Sequence, residues 1–263
     1  MRLWWEIARR AFARQSAYAV AAAAGLFTNT FFGFVRAYVL LEVHEHRPDA
    51  GGFDPRQAVT FVFVTQGLIG AMWAFGNWDL GERIKTGAVV VDLYRPVDLQ
   101  AYEYAVNAGR SAYLLLFRGA VPLLVASLVF DIVLAPVVLA PAVAASILLG
   151  VAVAIGLIFL VNLTVFWLLD YVGVGAFAVL MGMLLSGLAL PLNYFPHPLD
   201  GVVRALPWAA TLQLPVELAL GAHRTTGGVT GVLATQAAWA IALALAGRAV
   251  LARATRKVVV QGG

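Results

Sequence analysis

The sequence predicts an all-α polytopic membrane protein: six transmembrane helices, an interfacial helix before the first, and re-entrant half-helices before the last. Three observations predict it. First, six long apolar stretches divide a chain of 263 residues in which 62% are apolar and 12% charged, against about half and about a quarter in an ordinary globular chain. Second, the basic residues alternate in side. Arg2, Arg9, Arg10 and Arg14 precede the first stretch, Arg83, Lys85, Arg95 and Arg110 lie between the second and third, and Arg248, Arg253, Arg256 and Lys257 gather at the end of the sixth. The opposite connections carry only Arg47, Arg56, Arg204 and Arg224. Short cytoplasmic loops are enriched in Lys and Arg, so both termini are predicted to be cytoplasmic in an inner membrane. Third, the region 191–228 alternates prolines with apolar runs too short to span. One transmembrane domain covering 1–263 is expected.

Residues 1–16 read as an amphipathic interfacial helix, with Leu3, Ile7 and Ala11 on one side, arginines for headgroups, and Trp4 and Trp5 for the interfacial belt. A cleavable signal is not expected, because Glu6 interrupts the basic segment and the following apolar run is long enough to span. The first span is predicted over Tyr18 to Val43. It contains Asn29 among threonines, and Arg36, which either snorkels outward or faces a protein interior. An outer loop, Glu42 to Arg56, places His44 and His46 in solvent, and the second span covers Gln57 to Gly76 with Gln66 inside it.

The segment 77–110 is the longest polar stretch and is predicted to be an organised cytoplasmic element. Asp79, Glu82, Arg83 and Lys85 form a charged helical turn that Gly87 breaks. Leu93 leads to Arg95, which Pro96 restricts to an extended conformation, and a second helix begins near Asp98. The third span follows over Ser111 to Leu134, with Arg118 inside and Pro122 as a possible kink. The fourth covers Ala142 to Leu169 and includes Asn162; the fifth, Val172 to Leu190, starts almost at once and makes an antiparallel hairpin with it. The short runs between Pro191 and Gly228, with Phe195, Pro196 and Trp208, are expected as half-helices at membrane depth, where broken backbone must be buried or solvated by a cavity. The last span, Val229 to Ala252, carries Gln236.

Catalytic signatures are absent. Lys85-Thr86 mimics the end of a phosphate-binding loop, but Ile84 stands where glycine is required. Without cysteine there is no thiolate metal site or Cys nucleophile, and no carboxylate pair lies within a span for acid–base work. The net charge of +4 sits at membrane flanks, which fits anionic lipids and not nucleic acid. A chain without acidic relays in its spans makes a poor self-powered pump. A non-transporting scaffold or sensor subunit, or an integral-membrane lipid-modifying enzyme, would be the alternatives to a transport role.

Three blocks of residues resemble a known family. They are Lys85-Thr86-Gly87 through Leu93-Tyr94-Arg95-Pro96-Val97-Asp98; Ser186-Gly187 with Pro191, Phe195-Pro196, Leu206-Pro207, Pro215-Val216-Glu217 and Gly221; and the tail Val259 to Gly263. In this order they resemble the ABC-2 type transporter permeases, of the small six-helix exporter branch in which permeases often occur in pairs. Trp208 stands where that family more often has Phe. The resemblance implies a permease subunit of an ATP-driven exporter, with no catalytic residue and no cofactor of its own. ATP and Mg would be bound by a separate ABC ATPase, and a second permease, identical or paralogous, would complete the path. It further implies that Asp79, Glu82, Arg83, Lys85, Gly87, Leu93, Arg95, Pro96 and Asp98 belong to the ATPase-coupling element. Asn29, Arg36, Gln66, Asn162, Phe195, Pro196, Trp208 and Gln236 would line the path or cap its outer end. The apolar spans suit hydrophobic, drug-like or lipid-linked cargo.

Overall fold

The computed structural model describes residues 2–17, 19–48, 50–72, 77–222 and 227–261. Tyr18, Gly76, Arg224, Gly262 and Gly263, on which parts of the sequence reading rest, lie outside them. Among the described residues the secondary structure is helical throughout, with no strand. In chain order the helices are α1 (Arg2–Ser16), α2 (Ala19–His46), α3 (Pro55–Leu68), α4 (Asp79–Lys85), α5 (Val89–Tyr94), α6 (Leu99–Arg118), α7 (Val121–Ala126), α8 (Ala140–Leu163), α9 (Val165–Leu168), α10 (Val172–Leu185), α11 (Leu199–Ala205), α12 (Gln213–Ala219) and α13 (Gly228–Gln261).

Among the described residues four helical stretches are long and apolar enough to cross a membrane: Ala23–His46, Leu99–Ala126, Val137–Leu168 and Gly228–Arg256. The two other predicted spans appear as α3 and α10, each of 14 residues. At the α-helical rise each is roughly 21 Å long, short of the ~30 Å hydrocarbon core. Helix α3 is nearly all buried from Ala58 to Leu68. It starts at a capping box in which Asp54 accepts from the Gln57 amide at 2.8 Å and the Gln57 side chain returns the bond. Its neighbour α2 approaches so closely at Gly33 that a Cβ there would sit 2.7 Å from the Phe63 ring.

The structure corrects several boundaries. Helix α2 continues through His46, so His44 is not in a solvated loop. It is 4% exposed, with Nδ1 2.8 Å from the Leu40 carbonyl and Nε2 3.1 Å from that of Phe53. The third span begins at Leu99 rather than Ser111, because Asp98 caps α6 by accepting from the Ala101 amide at 2.7 Å. The separate element predicted over 77–110 therefore ends at Asp98, and 99–110 belong to the long apolar helix that follows. That span breaks at Gly119 and Ala120 and resumes as α7, where Pro122 falls in the first turn and its missing N–H costs nothing. The break presses the Gly119 carbonyl against Gly67 of α3, where a Cβ would collide.

The core runs along α8. It packs against α13, α12, α6 and α4. One cluster joins Phe61, Met72, Leu114, Ile155 and Leu212, and another joins Leu80, Val89, Leu99, Phe159, Leu163 and Leu251. Helix α1 lies across α6, with Phe12 edge-on to Tyr113 at 5.4 Å. Gly109 permits this crossing, since a side chain there would strike the Ala8 carbonyl.

Candidate functional site

The segment predicted to be cytoplasmic forms two short helices packed at one end of the core. Gly87, at φ 77°, turns the chain between α4 and α5, a conformation that strains any residue with a Cβ. Arg95 is extended at φ −69° and ψ 142°, as a residue before proline should be.

Several ties hold the element in place. Asn162 of α8 accepts from the Gly81 amide at 2.7 Å and donates to the Asn77 carbonyl at 2.9 Å and the Ile158 carbonyl at 2.8 Å. Gly81 is needed for this approach, because a Cβ would lie 2.9 Å from the Asn162 oxygen. Arg83 donates to Asp92 at 2.8 Å and pairs with Glu103 of α6. Burial would lower the Arg83 pKa, but the charges of Glu103 and Asp92 outweigh it and raise the value. Asp98 pairs with Arg248 of α13. Leu80 and Val89 are buried, with Ile84 and Leu93 packed alongside.

On the flank, Lys85 reaches Asp170 at 3.1 Å and lies 5.6 Å from the Tyr171 ring centroid. Their hydrogen bond raises the Lys85 pKa and lowers that of Asp170. The bridge is thus formed throughout neutral pH. It is lost only as pH falls through the depressed Asp170 value or rises through the raised Lys85 value.

The nine predicted residues divide by role. Arg83, Leu93 and Asp98 face inward and Lys85 ties the flank, while Glu82, Arg95 and Pro96 are exposed. Gly87 makes the turn, and Asp79 lies at the start of α4. Sequence reasoning left Tyr94 (86% exposed) and Val91 (59%) out of the site, although they dominate the presented surface. It also missed Asp92, Glu103 and Asp170. Their signal was the matching of these acids to Arg83 and Lys85, and with Glu103 and Asp170 that match is long-range.

The outer region holds the predicted half-helices α11 and α12, of seven residues each. Glu217 is fully buried and takes a two-pronged contact from Arg204, at 2.9 and 2.6 Å. Gln213 donates to Glu217 at 2.7 Å and to Asn193 at 3.0 Å, and accepts from the Leu192 amide at 3.1 Å. Phe195 packs on Leu192, Val203 and Ala209, and Trp208 is half-buried against α8 and α13, while Pro196 is exposed.

The other predicted path residues are dispersed. Gln236 accepts from the Ser146 hydroxyl at 2.7 Å and donates to the carbonyls of Ser146 and Ala210, tying α13 to α8. Both ends of the Asn162 amide are engaged at Gly81 of α4 and at Asn77 just before it. Asn29 donates to the Gln66 carbonyl at 3.3 Å, joining α2 to α3. The Gln66 Oε1 and Arg36 Nη2 atoms are buried without a hydrogen-bond partner, so Arg36 faces the interior with that nitrogen. Among the described residues no group of His, Cys, Asp and Glu could hold a metal ion.

A family model described as ABC-2 family transporter protein matches residues 27–262. No curated protein and no solved structure was found to match.

Proposed function

We propose a specific role for this chain, which belongs to the ABC-2 family of transporter proteins: it is the membrane permease of an ATP-driven exporter. The element α4–α5 docks on a separate ABC ATPase. The observation that carries this reading is its build. The element is anchored by Asn162, Glu103 and Arg248, yet it presents Val91, Tyr94 and Arg95 outward. A rigidly held exposed knob transmits a push from its partner to α6, α8 and α13. ATP and Mg bind the ATPase, and this chain contributes no catalytic group.

In this reading α3 and α10 also cross the membrane, extended by irregular backbone that protein covers, which makes six crossings with both termini in the cytoplasm of a bacterial cell. A second permease, identical or paralogous, faces the apolar side of α2, where Phe27, Phe31, Phe32 and Val35 are exposed. Asn29, Arg36 and Gln66 lie near the path, Phe195, Pro196 and Trp208 cap its outer end, and the cargo is hydrophobic, drug-like or lipid-linked.

Affinity purification from native membranes in mild detergent tests the proposal. A stoichiometric ATPase with Walker motifs should co-elute, and a Tyr94→Ala, Arg95→Glu variant should lose it. A partnerless chain, or a variant that keeps the ATPase, would overturn the assignment.

A further inference from the structure

A polar cavity of about 700 Å³ opens between α1, α6 and the chain entering α4, on the side that the charge asymmetry predicts to be cytoplasmic. Arg10, Arg14 and Arg110 line it against a single carboxylate, Asp79. Arg10 is already matched: it donates to Glu6 at 2.9 Å, and Glu6 is held at a pKa of about 2 by hydrogen bonds from Arg9 and Arg10, so it stays ionised. Among the described residues neither the Arg14 nor the Arg110 side chain has a hydrogen bond or an ion pair. The cavity therefore keeps a surplus of positive charge, and its two unpaired guanidinium groups come from different helices. The wall between them is apolar, with Ile7, Ala11 and Val106.

Guanidinium forks match phosphate oxygens, and an amphipathic helix that carries Trp4 and Trp5 suits headgroup depth. We propose that this cavity binds a phosphate-bearing anion, with Arg14 and Arg110 as its ligands and Ile7 and Val106 against the adjoining apolar portion. The source is an inner-leaflet phospholipid headgroup or a free phosphate. The site does not depend on the ATPase reading. Because Asp79 lines it, an anion held there touches the root of α4.

Binding of fluorescent dioleoylphosphatidylglycerol and dioleoylphosphatidylcholine to the purified full chain in detergent tests this. Each arginine near an anionic headgroup contributes roughly a fivefold preference. The wild type should favour the glycerol lipid, and Arg14→Gln with Arg110→Gln should weaken it by about tenfold or more. Arg14→Lys with Arg110→Lys keeps the charge but loses the fork and should bind more weakly than wild type but better than the Gln pair, and Asp79→Asn should tighten binding, a gain that misfolding does not produce. Displacement by millimolar inorganic phosphate identifies a site that accepts free phosphate; resistance to it identifies a lipid site. Equal binding of both lipids, together with no binding of inorganic phosphate that the two Gln changes remove, would overturn the proposal. So would an equal loss on changing Arg2 and Arg253, outside the cavity, to Gln.

Discussion

Asn162 shows how one polar side chain in a span acquires a structural duty. Its amide oxygen meets the Gly81 N–H and its amide nitrogen meets the Asn77 carbonyl, so Asn162→Ala leaves two backbone groups without partners. The expected cost is about 1–3 kcal/mol for each buried group left unsatisfied. The melting temperature in detergent should fall clearly, and an unchanged value would refute the clamp. Glu217 is the outer counterpart. Arg204→Leu strands its buried carboxylate at an expected cost of about 3–5 kcal/mol. Adding Glu217→Gln to that variant should recover part of the loss, because the uncompensated charge is then gone. A double variant no more stable than Arg204→Leu alone would mean that the ion pair does not hold α11 to α12.

At the scale of the element, Arg83 and Arg95 have similar positions in the sequence and opposite surroundings. Arg83→Glu would place a third carboxylate beside Asp92 and Glu103, so α4 and α5 should detach from α6 and the yield of folded protein should collapse. Arg95 is half exposed, and its 3.4 Å contact with Asp92 is a surface pair worth about 0–1 kcal/mol. Arg95→Glu should therefore fold normally and lose only ATPase association, measured by size-exclusion profile and co-purification. Matching behaviour of the two variants would defeat this division. The element itself was legible in the sequence: Gly87, the Arg95-Pro96 pair and Asp98 are local signals, and each sits where local rules place it. What Arg83 does was not legible, because Glu103 lies on the far side of a turn and two helices. Asn162 and Gln236 read as path residues for the same reason, since a polar residue in a span looks alike whether it faces water or a carbonyl. The helix start near Asp98 was legible, but its continuation into the third span was not, because the polar residues from Gln100 to Arg110 read as part of a polar segment, whereas several of them, Gln100, Glu103 and Asn107 included, are buried against other helices.

For the whole molecule, charge asymmetry and packing make the same demand. The ties of the α4–α5 element reach Glu103 of α6, Asn162 of α8 and Arg248 of α13, while the Arg204–Glu217 network joins α11 to α12. The charge asymmetry of the sequence predicts that the two face opposite sides of the membrane, with the arginine-rich side inside. The chain has no cysteine, so single cysteines report sidedness without background. Tyr94→Cys and Val202→Cys replace exposed residues, 86% and 60% accessible, at the two ends. In intact cells a membrane-impermeant maleimide should label the cysteine at position 202 and spare that at 94, and in inverted vesicles the pattern should reverse. Labelling of both from the same side would break the shared logic of the fold and its function, because an ATPase in the cytoplasm requires α4–α5 to be there. The predicted pattern would place the docking knob and the anion cavity on the inner face, and the buried half-helices at the outer one.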